Sequence, residues 1–389
     1  MASQDFEKDN HSGDEEVANA AQDQSSEEPP QEPIYDKGTT AWLHVLGSFF
    51  LVFNTWGILN AFGEYQTYYA SSFLSHESSS SISLIGSLET FILLFTSCLT
   101  GPVFDKGHLR LLVVVGTFLI VFGHTMLSGK TLTSCCPGIM YPIALYRLIN
   151  EVSFPWAVRI LGFIALATLL VPIFILRMRT SPAKARSLID WTAFHDFDYI
   201  FLVFTSFLAY MGLFVLLFYL SFYAANAKLT DTSLAFYLVP IFNAGSCIGR
   251  TVPNALADKT GPFDIIAPGA LIVGLLEFCM IAASNSKGMI ALAVISGIFS
   301  GILIGVLPLC FIALTNDKSK LGTRMGMGFA FLGLGVLCAG PGAGAILGEN
   351  EPLHWRSAWI FGGVATCSSG VGFSLLRFKK WGTRSILKA

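Results

Sequence analysis

The chain has 389 residues, of which 53% are hydrophobic and 13% charged, with a formal net charge of −2. A water-soluble domain carries about 25% charged residues, so half that share, together with 33 Phe and 37 Gly, excludes a soluble multidomain enzyme. Collagen-like, wholly disordered and nucleic-acid-binding chains are excluded too, because there is no glycine period, ample apolar mass and no basic excess.

Residues 1–36 hold eleven acidic side chains against Lys8 alone, with Ser, Gln and Pro among the rest. That composition predicts a disordered acidic tail. No basic stretch followed by a short apolar one opens the chain, so a cleaved signal peptide is not expected and the first span should act as the targeting element.

A helix needs about 20 mostly apolar residues to cross a bilayer, because lipid satisfies no backbone group. Ten stretches qualify: 42–64, 82–104, 109–128, 157–176, 199–222, 234–256, 264–284, 289–314, 325–347 and 356–376. The segment Met140 to Trp156 is apolar but broken by Arg147, Asn150, Glu151 and Pro155, and reads as a helix end or interfacial piece. Loop charge sets the orientation. With the N-terminus in the cytoplasm, eighteen of the 24 Lys and Arg residues fall inside. Both termini are then cytoplasmic, as an even number of spans requires.

The expected organisation is a disordered cytoplasmic tail over 1–36 and an N-terminal helical bundle over 37–176. A cytoplasmic central loop follows over 177–198, then a six-helix C-terminal bundle over 199–377 and a basic tail over 378–389. Six of the eight cysteines lie within spans and Cys135 and Cys136 are adjacent, so no spaced metal-ligand pattern appears. No Walker loop, no Ser/His/Asp set and no metal cluster is discernible. No cofactor, catalytic residue or metal is expected.

Two loops resemble each other. Gly101-Pro-Val-Phe-Asp105-Lys106-Gly107-His-Leu-Arg110 and Asn254-Ala-Leu-Ala-Asp258-Lys259-Thr-Gly261-Pro262 each follow the second span of their half. After Asp258 the second half runs 119 residues to Arg377 and holds four spans; after Asp105 the first half runs 72 residues to Arg177 and holds two. The deficit of 47 residues equals about two spans and a turn. The first half reads as internally deleted.

The first loop resembles the signature of the major facilitator superfamily. Asp36-Lys-Gly-Thr-Thr-Ala-Trp42 is similar to the Asp-Gly-Gly-x-x-x-Trp lead into the first span of monocarboxylate transporters. Phe53 to Gly63, Phe154 to Arg159, Gly249 to Asp258 and Gly322 to Met327 look like the fungal, monocarboxylate-permease-like branch. The similarity covers residues 36 to 378. It implies an all-α, polytopic, two-bundle transporter, here with about ten full spans instead of twelve. The fourth span and most of the fifth are absent, with the join near Ser134–Pro137.

The resemblance also implies roles. Arg250, within the eighth of twelve spans, matches the arginine that binds the substrate carboxylate, and the family's aspartate one turn earlier is Ser246 here. A cation in lipid costs about 2.5–3.5 kcal/mol on insertion scales; the bland alternative is that Arg250 snorkels to the interface or pairs with Asp258. Asn60 stands where animal carriers have a proton-linked lysine, and Glu64, one turn on, is a titratable candidate in its place or a hydrated carboxylate at the outer mouth. Glu89 and Glu277 are further acids within spans, which face a cavity or carry a proton.

Asp105 and Arg324 are expected to meet as a gate, with Lys106, Arg110, Asp258 and Lys259 in the two loop motifs around it. A topogenic charge cluster is the alternative. Gly297, Gly301 and Gly305 recur every four residues, as do Gly340 and Gly344, which suits close helix packing. Pro308 and Pro341 are kink sites.

The expectation is therefore a secondary carrier in the plasma membrane that moves a small organic anion or metabolite by alternating access, fungal secondary-metabolite export included. Proton coupling stays open. A second copy that closes the incomplete bundle is an expected partner alongside substrate and lipid. The alternative is a non-transporting sensor, scaffold or degenerate paralogue.

Overall fold

The computed structural model describes residues 38–60, 62, 65, 66, 69, 77–127, 154–177, 187–348 and 352–382. Glu64, Ser134–Pro137, all of the acidic tail and most of Met140–Trp156 lie outside the described residues.

Among the described residues there are ten α-helices and two short 3-10 turns. The helices are α1 (Thr39–Asn60), α2 (Ser79–Asp105), α3 (Leu109–Leu127), α4 (Phe154–Ile175), α5 (Phe197–Asn226), α6 (Thr232–Thr260), α7 (Pro262–Met280), α8 (Ser286–Leu314), α9 (Leu321–Leu347) and α10 (Trp355–Trp381). Each overlaps one apolar stretch of the sequence. Six (α2, α5, α7, α8, α9 and α10) are long and apolar enough to cross a membrane. α6 carries Arg250, Asp258 and Lys259 together with Pro240 and Pro253, and its hydropathy is correspondingly low.

Local chemistry sets the helix ends. The Ser78 hydroxyl accepts from the Ser81 N–H at 3.1 Å to open α2, and Asn285 accepts from the Gly288 N–H at 2.7 Å to open α8. Both satisfy first-turn donors that have no partner within the helix. The α2–α3 turn needs Gly107, whose φ of +90° suits a residue without a Cβ. Gly261 at φ +105° ends α6, and Pro262 follows at the first position of α7.

α5 is the core helix. Every residue from Leu213 to Ser221 is buried, and α5 packs against α6, α8, α9 and α10. A helix apolar on all sides belongs in such a position. The tightest pairings are α2 with α9, α6 with α8, and α7 with α10, while α3 packs mainly on α4. The helices also display apolar side chains outward, with Phe118, Phe163, Phe174, Val252 and Leu275 more than half exposed. In water such a surface would aggregate; against lipid tails it costs nothing.

Candidate functional site

Arg250 projects from α6 towards α1, and its guanidinium lies over the Trp56 ring, 5.1 Å from the centroid. Its Nε is buried and has no hydrogen-bond partner, and among the described residues no carboxylate lies within ion-pair distance. Asp258 does not reach it: that side chain is exposed at the end of α6. One turn before Arg250, Ser246 is 2% exposed and its hydroxyl is unpartnered. Tyr210 of α5 is buried, its hydroxyl is also unpartnered, and it lies within electrostatic reach of Arg250. One turn after Arg250, the Asn254 amide donates to the Arg250 carbonyl at 2.7 Å, leaving its own oxygen free.

A half-buried cation without an anion is costly unless a ligand supplies the countercharge. Arg250, Ser246 and Tyr210 together offer one cation and two hydroxyls, all with unused hydrogen-bonding capacity. That set fits an anionic group. Sequence reasoning missed Trp56 and Tyr210, because nothing in an apolar stretch marks which aromatic will meet a cation on another helix.

Asn60 ends α1, but its side chain, like Glu64, lies outside the described residues. Glu277 is fully buried between α7 and α10. Its Oε1 accepts from the Thr366 hydroxyl at 3.1 Å, and its Oε2 lies against Gly362 without a partner. Glu89 is half-buried in α2.

The expected gate pair is corrected by the geometry. Arg324 does not meet Asp105. Its Nε donates to Asp190 at 3.0 Å and its Nη1 donates to Asp196 at 2.9 Å. Both aspartates flank the 3-10 turn Trp191–His195, and both cap with their other oxygen. Asp190 accepts from the Thr192 N–H at 3.1 Å, and Asp196 accepts from the Tyr199 N–H at 3.3 Å at the start of α5. The turn thus presents two carboxylates, already fixed in place, to one planar guanidinium, whose fork suits two acceptors. Lys320 adds a second cation 3.6 Å from Asp190. Burial works against ionisation of Asp190, yet hydrogen bonds from Thr192 and Arg324 and the charge of Lys320 outweigh it and bring its pKa down to about 2.

Asp105 instead lines a cavity of about 340 Å³ with Cys98, Ser187, Leu188, Gly322 and Thr323. Lys106 and Arg110 are exposed beside it. Asp258 and Lys259 line a cavity of about 350 Å³ whose far wall holds Trp381 and the Arg377–Asp264 ion pair.

The glycines sit at helix contacts. A Cβ at Gly297 would meet the Phe242 carbonyl, and one at Gly301 the Ser246 carbonyl, so α8 touches α6 backbone to backbone beside Arg250. Gly305 faces the Asn254 side chain and the Arg250 Cα. Gly340 and Gly344 meet Ser83, Ser87 and Ser80 of α2. Among the described residues no group of three or more His, Cys, Asp or Glu is placed to hold a metal ion.

The family description Major Facilitator Superfamily matches residues 202–385, which run from α5 to beyond α10. The MFS-type transporter dbaD of Emericella nidulans is 46% identical over 377 aligned positions, covering 86% of this chain and 85% of that protein. The chain belongs to the Major Facilitator Superfamily. As a member of it, this protein is an integral, multi-pass membrane transporter of small molecules and not an enzyme. Aspyridones efflux protein apdF of the same organism is 31% identical, covering 90% of this chain and 82% of that one. Agnestins efflux protein AgnL12 of Paecilomyces divaricatus is also 31% identical, covering 87% and 88%. Among solved structures, a mutant of the nucleoside transporter NupG matches with a TM-score of 0.63 at 14% identity, covering 87% of this chain and all of that one. The human organic anion transporter MFSD10 matches with a TM-score of 0.55 at 11% identity, with the same coverage. At such identity the likeness is one of fold.

Proposed function

We propose that this superfamily member is a secondary carrier of an organic anion, that Arg250 binds the anion, and that its physiological direction is export of a secondary metabolite. The carrying observation is the unpaired Arg250 guanidinium, laid on Trp56 with the unpartnered hydroxyls of Ser246 and Tyr210 at hand. Export is supported by the efflux proteins among its relatives. The monocarboxylate-permease-like motifs support membership of that branch, and the loop charges support cytoplasmic termini in a plasma-membrane protein. Glu64 is the candidate for proton coupling, since Asn60 cannot take up a proton. Asp105, Lys106, Arg110, Asp258 and Lys259 then belong to the cytoplasmic gating surfaces of the two halves.

Arg250→Lys keeps the charge but loses the planar two-donor fork, so it should weaken transport, and Arg250→Ala should abolish it. Flux of a labelled organic acid in membrane vesicles, normalised to protein in the membrane, decides this. Unchanged flux in Arg250→Ala dismisses the site.

A second reading, a carrier crippled by deletion, also has an observation behind it. The 377 positions aligned with dbaD draw on 86% of this 389-residue chain, which leaves about 40 positions where dbaD has residues and this chain has none. A gap of that size supports the reading of a 47-residue deficit in the first half. We infer that the fourth span and most of the fifth of a twelve-span carrier are absent, leaving ten spans, and that a second copy closes the gap.

A further inference from the structure

The two carboxylates that Arg324 holds belong to the end of the connection between the two halves of the chain, and that connection also touches α2. The Thr323 hydroxyl donates to the Ser187 carbonyl at 2.8 Å, and the Asp190 N–H lies 3.4 Å from the Met327 sulfur. The Tyr199 hydroxyl donates to the Arg324 carbonyl at 2.8 Å. On the opposite side, the Leu188 carbonyl lies 4.0 Å from the Cys98 sulfur of α2. Ser187 and Leu188 form one wall of the cavity that Asp105 lines. The segment is therefore wedged between α2, from the first half, and α9, from the second.

We propose that residues 187–196 are a latch, pinned to α9 by Arg324 through Asp190 and Asp196, and that the latch holds α2 against α9 at the end where α2 finishes and α9 begins. The pin is strong because both carboxylates are fixed before Arg324 arrives, and because Asp190 is 6% exposed, so water competes little for it. Removing one partner of such a pair leaves the other buried and uncompensated. The segment then travels with α9, and opening this end of the carrier means parting α2 from Ser187 and Leu188 while the Arg324 clamp stays made. Arg324 is a positioning residue here; it acts on α2 only through the loop. The sense of opening rests on the alternating-access reading, whereas the clamp itself is testable without transport.

The test uses the full chain in nanodiscs carrying Leu188→Cys beside the native Cys98. Mild oxidation should join positions 98 and 188, read as the cross-linked peptide by mass spectrometry. Adding Arg324→Met should lower the cross-link yield about tenfold and raise maleimide labelling of Cys98 by a similar factor. Asp190→Asn combined with Arg324→Met should lose little more than Arg324→Met alone, a non-additivity that two unrelated structural defects would not give. If Arg324→Met fails to assemble, Arg324→Lys should still lower the yield severalfold, since lysine cannot engage both carboxylates. No cross-link in the parent, or an equal yield after Arg324→Met or Arg324→Lys in well-assembled protein, overturns the latch. A normal latch with anion transport indifferent to Arg250 would instead sink only the transport reading.

Discussion

The Arg250 guanidinium rests on the Trp56 indole across the α1–α6 contact, 5.1 Å from the ring centroid. One residue comes from each half of the chain, so the cation that awaits an anion is held by a side chain of the opposite half. On the proposed function, a ligand that pairs with Arg250 would act at a junction that alternating access rearranges.

Trp56→Leu removes the ring while keeping an apolar side chain of helical propensity. A cation–π contact of this kind contributes about 0.5–2 kcal/mol, so apparent affinity for the transported anion should fall between about twofold and thirtyfold. Trp56→Phe should retain part of it. The measurement is the concentration dependence of flux; an unaltered half-saturation in Trp56→Leu would separate the ring from the site.

Gly301→Leu should prevent assembly. Its Cβ would meet the Ser246 carbonyl, which is backbone and cannot step aside. Overpacking costs about 1–3 kcal/mol where side chains can yield, so the loss here should lie at or above that range. Gly116→Ala, with open space at its Cβ, should melt like the parent. Thermal melting of purified protein compares the two.

The Asp190–Arg324 pin should be indifferent to pH from about 5 to 8. The folded pKa of Asp190, about 2, lies below its ordinary 3.8, so its contribution of about 2 kcal/mol is complete above the unfolded value and is lost as pH falls towards 2. Of the groups that face it, Thr192 carries no charge and Arg324 stays protonated throughout that window. Melting temperature should therefore decline more steeply below pH 4 in the parent than in Asp190→Asn. Parallel declines would show that Asp190 is not ionised by its surroundings.

The chain as written should transport poorly, and insertion of about 47 residues at Ser134–Pro137 should raise flux, because two spans are about that long. Polar groups that a complete bundle encloses would otherwise meet lipid, at several kcal/mol for each unsatisfied one. Flux normalised to surface protein compares the two forms, and equal values would show that the chain as written suffices.

The sequence by itself determined the helices. All ten apolar stretches correspond to helices among the described residues, because in lipid a long uncharged run has no alternative that satisfies its backbone. The loop motif around Gly107 and Arg250 as an unusual cation were legible for the same reason: each is a local departure from apolar monotony. Pairings between helices were not. Trp56 and Tyr210 are ordinary aromatics in the sequence, and only the packing of α1, α5 and α6 brings them to Arg250. Arg324 is the clearest case. Its position at the start of α9 suggested Asp105, yet it is held by Asp190 and Asp196, two aspartates that the sequence does not single out and that cap a turn and a helix in the fold. A cap leaves one carboxylate oxygen free, and which cation takes it depends on where another helix begins in space, some 130 residues further along the chain.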